Sequence, residues 1–202
     1  MRPTALALNL VVAILAAARF SASGEANWRL LAALAATSAP AAFIGGRIML
    51  DPAIYRPLVG VVLLLAAARR LWQPERLAVR PTQASSLAVT LSAGAALGLL
   101  AGLTGTGGGI FLSPLIILLG WDDARRTAGT AAAFIVLNSA AGLLGNIAGV
   151  RSLPPELPLM ASAVLIGALV GSWLGVGRLS RHRLLQALAI VLLIAALKLL
   201  LS

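Results

Sequence analysis

The chain has 202 residues, of which 60% are hydrophobic and only 11% charged. Water-soluble domains carry about 45–50% apolar and about 25% charged residues, so these proportions exclude a soluble globular protein and fit one domain built within a lipid bilayer. The net charge of +10 comes mainly from arginines in short loops between apolar stretches, the pattern of a membrane protein and not of a nucleic-acid-binding surface, and the lack of cysteine removes disulfides, thiol chemistry and Cys-based metal sites.

Eight apolar segments follow one another: Thr4–Ala18, Leu30–Ile48, Ile54–Leu71, Leu87–Leu103, Ile110–Gly120, Ala128–Val150, Leu157–Val176 and Leu184–Leu200. All are expected to be helical, because lipid leaves no water for unpaired backbone groups and no strand-like alternation is present. The first 24 residues also have the layout of a secretory signal, with a basic start, an apolar core and small residues. The repeat described below argues instead that this segment stays as a membrane helix.

The fourth and fifth segments are joined by five glycines within eight residues, Gly102, Gly105, Gly107, Gly108 and Gly109. A single helix through both would be far too long for a bilayer. The fifth segment alone rises only about 16 Å, half of a core of about 30 Å. The expectation is an intramembrane hairpin whose returning arm is a half-helix. Pro114 fits either as an early-turn proline or as a kink.

If the loop at Arg69–Arg80 is cytoplasmic, alternation of spans places 11 basic residues inside and 5 outside. That bias supports a multi-pass protein of the cytoplasmic membrane with this orientation. Trp28, Trp72 and Trp121 then fall at cytoplasmic ends, where interfacial anchoring is expected.

Two stretches resemble each other at an offset close to 130 residues, the first from Thr4 and the second from Thr130. Asn9 matches Asn138, and AAARRL matches AALKLL. The copies run in opposite senses through the membrane, a common plan for transporters. The expected organisation is a first repeat over residues 1–72, a cytoplasmic linker over 73–86 and a second repeat over 87–202. The glycine hairpin precedes only the second copy, so the first reads as incomplete, either a short form or a start set too late.

Nothing in the sequence supports an enzyme. The lone histidine, His182, lies in a basic loop, and the six carboxylates Glu25, Asp51, Glu75, Asp122, Asp123 and Glu156 all lie outside the spans. There is no metal-ligand cluster and no cofactor motif; a P-loop needs a lysine beside its glycines, and Lys198 is the only lysine. Asp122 and Asp123 read as a helix start paired locally with Arg125 and Arg126.

A transport site fits better. Gly107, Gly108 and Gly109 allow a turn, and the amides that open the next helix present free N–H groups and a positive dipole end. Thr104, Thr106 and Ser113 are expected to add hydroxyl donors. Together they suit a small anion without a formal positive charge. The plainer alternative is that the glycines only let helices pack closely. Asn138 and Ser139, with Asn9 as the repeat counterpart, are polar residues within spans, readable either as site residues or as interhelical hydrogen-bonding groups.

The run GLTGTGGGIFLSPL, a following Gly-Trp with basic residues, and GTAAAFIVLNSAAG resemble the sulfite exporter TauE/SafE family. The resemblance covers the chain and is tightest over Gly102–Gly142. It implies a secondary carrier for sulfite, organosulfonates or related sulfur-containing anions, built from two related halves that each carry the glycine segment. Because only one such segment is present, the alternative is a truncated, non-transporting structural or partner subunit. A further alternative is a homo-oligomer in which a second copy supplies the missing wall.

Overall fold

The computed structural model describes residues 2–24, 26–48, 57, 85–147 and 154–177. These contain six helices: α1 (Arg2–Ala22), α2 (Trp28–Arg47), α3 (Leu87–Thr104), α4 (Gly109–Leu119), α5 (Ala124–Gly145) and α6 (Leu157–Gly177). No strand occurs among the described residues. Four of the helices, α1, α2, α3 and α5, are long and apolar enough to cross a membrane. The apolar segments Ile54–Leu71 and Leu184–Leu200 lie outside the described residues, as do Trp72 and His182.

The chain divides into two compact units, residues 1–49 with 79–164 and residues 50–78 with 165–202. In the second, only Pro57 and the rear part of α6 are described. The first contains α1 to α5. Within it α5 is the hub, packing against α1, α2, α3 and α4, while α2 lies along α3.

The first helix runs beyond the Thr4–Ala18 apolar stretch. The small residues after Arg19 carry on the helix, and it unwinds at Gly24, which takes the left-handed conformation (φ 70°). At the start of α2, Asn27 is an N-cap: its side chain accepts from the Leu30 N–H at 3.0 Å.

Glycines at intervals of four set the distance between α2 and α3. Gly94, Gly98 and Gly102 of α3 face Leu34, Ser38 and Ala42 of α2, and at each a methyl group would strike the partner's backbone carbonyl. Gly46 and Gly145 do the same between α2 and α5, meeting Gly142 and Phe43. Backbones this close gain van der Waals contact, which holds helices together where lipid removes the hydrophobic drive. The Thr37 hydroxyl adds an interhelical hydrogen bond to the Leu91 carbonyl at 2.6 Å.

An apolar cluster fills the space these contacts enclose. It contains Leu30, Leu31 and Leu34 from α2, Leu97 from α3, Leu112 and Ile116 from α4, and Phe134 from α5. Trp121 belongs to it and is buried, which corrects the expectation of an interfacial anchor; α4 ends at the left-handed Gly120 (φ 65°), and the indole that follows packs into the cluster. Trp28 is exposed.

Gly98→Val should destabilise the protein by about 1–3 kcal/mol, the usual cost of overpacking. Thermal unfolding in detergent checks this, with Gly167→Ala, which meets nothing within 4 Å, expected to leave the midpoint unchanged.

Candidate functional site

Helix α3 stops because Gly105 adopts the left-handed conformation (φ 73°) and its N–H returns to the Ala101 carbonyl at 2.9 Å. Gly107 (φ 69°) and Gly108 (φ 78°) keep the chain on the left-handed side, where a Cβ is strained. Gly108 is then the N-cap of α4, and its carbonyl accepts from the Phe111 and Leu112 N–H groups, each at 3.1 Å.

This break sits against the middle of a neighbouring helix. Gly107 and Gly109 both rest on Ile135, close to the midpoint of α5 and about 16 Å from either end. Gly105, Gly107, Gly108 and Gly109 are buried, Thr106 is half-buried and Ile110 is exposed. The groups found against the turn are Asn9, Leu97, Ala101, the Ala131 carbonyl, Phe134, Ile135 and Ser139, all uncharged.

Among the described residues the N–H groups of Gly107, Gly108, Gly109 and Ile110 have no hydrogen-bond partner. A helix always leaves its first donors open, and here they carry the positive end of the α4 dipole. The opposite edge of the turn is satisfied: the Asn9 carboxamide nitrogen donates to the Gly105 carbonyl at 3.1 Å.

The chain matches the family model described as sulfite exporter TauE/SafE over residues 1–199. It is 36% identical over 203 residues to the probable membrane transporter protein y4hK of Sinorhizobium fredii (strain NBRC 101917 / NGR234), an alignment covering 99% of this chain and 82% of that protein. The chain belongs to the TauE/SafE family. It is therefore an integral membrane transporter by family, with several membrane-spanning helices. No solved structure matches it.

In this TauE/SafE chain the turn gathers most of the residues singled out from the sequence. Asn9 and Ser139 touch it directly. Asn138 is fully buried; its amide nitrogen donates to the Phe134 carbonyl at 2.9 Å, and the Phe134 ring lies against Gly108. Gly102 serves helix packing, against Ala42 and Gly46. Pro114 lies within α4.

The three hydroxyls expected as ligand donors are engaged within the protein. Thr104 donates to the Leu100 carbonyl at 2.6 Å and Ser113 to the Gly109 carbonyl at 3.2 Å. Thr104 and Thr106 oxygens stand 2.8 Å apart, and since the Thr104 proton is committed, Thr106 donates in that pair. Hydroxyls on a helix turn readily to carbonyls four residues back, and this competes with any role toward a ligand. Ser139 is the exception, with a fully buried hydroxyl that has no partner and sits beside Gly107.

At the far end of α4 a polar network joins the loops before α2 and α5. The Asn27 amide nitrogen donates to the Asp122 carboxylate at 2.6 Å, and the Asn27 backbone N–H donates to the Thr130 hydroxyl at 3.0 Å. Asp122 thus pairs with Asn27, while Asp123 makes the local charge pairing expected there, its carboxylate 4.0 Å from the Arg126 guanidinium. Asp123 caps α5, accepting from the Arg126 N–H at 3.0 Å. The Asn27 cap was readable from its place before Trp28; its reach to Asp122, 95 residues away, was not.

Asn9→Leu removes the donor to Gly105 at nearly constant volume and leaves that carbonyl unsatisfied. Stability should fall by about 0.6–1.7 kcal/mol, the range for polar contacts between membrane helices, as read by thermal unfolding in detergent.

Proposed function

We propose that the chain is a secondary carrier of the cytoplasmic membrane for small sulfur-containing anions such as sulfite or organosulfonates, and that the glycine turn is its substrate site. On this reading α3, the turn and α4 form an intramembrane hairpin within the second of two inverted repeats. The observation that carries the proposal is the row of four unpartnered N–H groups at Gly107–Ile110, halfway along α5. Each buried donor left unpaired costs about 1–3 kcal/mol, and an oxyanion accepts several at once. Non-helical backbone at membrane depth is tolerated where it lines a protein or water-filled cavity, and helix N-termini directed at anionic groups recur in transporters.

Helix packing explains Gly94, Gly98 and Gly102. It does not explain Gly107 and Gly108, whose left-handed backbone serves the turn itself. The uncharged surroundings suit turnover, because donors and a dipole hold an anion without the desolvation cost of a buried arginine.

Gly108→Leu forces a side chain into a left-handed position bounded by Phe134 at 3.0 Å and Ala101 at 3.1 Å. Sulfite uptake into proteoliposomes should fall by at least about tenfold, a loss of about 1.4 kcal/mol or more in transition-state stabilisation. Gly24→Ala is the control, since Gly24 has a similar φ but stands in open space away from the site. Unchanged flux in Gly108→Leu protein that reconstitutes at the normal level would rule the site out.

A further inference from the structure

We propose that Asn138 reads a hydrogen on the transported anion, so that the site selects oxyanions bearing an N–H or O–H over isosteric ones that bear none. The inference rests on the anion site proposed above and names the kind of anion it takes.

The Asn138 carboxamide is wholly buried, and only half of it is used. Its nitrogen donates to the Phe134 carbonyl, which fixes the orientation of the amide, since a carboxamide oxygen cannot donate. The other half, Oδ1, is therefore an acceptor, and it has no partner. Asn138 follows Phe134 by one helical turn and precedes Ser139 directly. Phe134 lies against Gly108 and the Ser139 hydroxyl against Gly107, and helical spacing puts Asn138 on that same face of α5, between the two residues that cover the glycine break.

The break thus has two kinds of open polar group. The N–H groups of Gly107–Ile110 are donors and call for anionic oxygen. Asn138 Oδ1 is an acceptor and calls for a hydrogen. Ser139 can serve as either. An anion without a protic hydrogen satisfies the donors and leaves Oδ1 buried and unpaired. One with both an anionic oxygen and an N–H or O–H satisfies the whole set. Sites built to hydrogen-bond a substrate hydrogen reject analogues that lack it far more strongly than apolar pockets reject a missing methylene.

Sulfamate and methanesulfonate test this directly. Both are monoanions with one –SO3⁻ group and nearly the same shape, and they differ in carrying –NH2 or –CH3. Sulfamate should inhibit sulfite uptake by the reconstituted protein at least about tenfold more strongly than methanesulfonate, and calorimetry on the purified protein should give the same order of binding. Asn138→Leu and, independently, Asn138→Ala should bring the two anions within about twofold. The wild-type ratio decides the matter even if both variants fail to fold. Equal or stronger binding of methanesulfonate overturns the inference while leaving the anion site intact. So does a preference that vanishes when choline replaces Na⁺, because Oδ1 would then be serving a co-bound cation. Binding of neither anion, with no sulfite flux, overturns the underlying function as well.

Discussion

A helix that ends halfway along a bundle leaves backbone groups that lipid cannot satisfy, and they must be enclosed by protein. The break at Gly105–Gly108 imposes that condition on everything around it. Its carbonyl edge is met by Asn9 from α1, and Ile135 and Ser139 from α5 lie against Gly107. Both neighbours can come this near only because the surrounding helices touch along their backbones. Gly98 lies on Ser38, Gly46 on Gly142 and Gly145 on Phe43. Side chains at those positions would hold α2, α3 and α5 apart and expose the break. The closely packed glycines and the turn glycines are thus two parts of one requirement, the second depending on the first.

Enclosure does not extend to every group. The structure satisfies the carbonyl of Gly105 and the hydroxyls of Thr104, Thr106 and Ser113, all through local or nearby partners. What it leaves open is concentrated: four amides, the Ser139 hydroxyl and the Asn138 oxygen. Buried polar groups in folded proteins nearly always find partners, so a cluster of unpaired ones in one place points to function more than a single orphan would. Ser38 and Thr127 also lack partners; Ser38 lies against Gly98, in the contact between α2 and α3.

Length and hydropathy made the helices legible. The segments expected at Leu87–Leu103 and Ile110–Gly120 are α3 and α4 to within one residue at each end, because Gly105 and Gly108 punctuate the chain as strongly in the structure as in the sequence. The turn's donors were legible for the same reason, since backbone amides at a helix start need no side chain to be foreseen. Side-chain protons were not. Whether Thr106 offers a donor depends on a 2.8 Å contact with Thr104, which only coordinates give. Trp121 misled because an aromatic beside charged residues reads as an interfacial anchor, whereas after the left-handed Gly120 it packs into the apolar cluster. The link from Asn27 to Asp122 spans 95 residues and leaves no local pattern.

The two ends of α4 are held very differently. At Gly120–Asp123 the buried indole, the Asn27–Asp122 bond and the Asp123 cap on α5 fasten the chain to three neighbouring elements. At Gly108–Ile110 the backbone is positioned by apolar contact with Phe134 and Ile135, and its donors are open. A ligand contributes most where polar groups are otherwise unpaired, because there it replaces nothing. Binding to the folded state adds stability in proportion to occupancy, so an occupant of the turn would supply, at the weaker end of α4, what Asn27 and Asp123 supply permanently at the other. On the site proposed above, a short helix pinned at one end would be completed by its cargo at the other, so that substrate and carrier would hold each other in place.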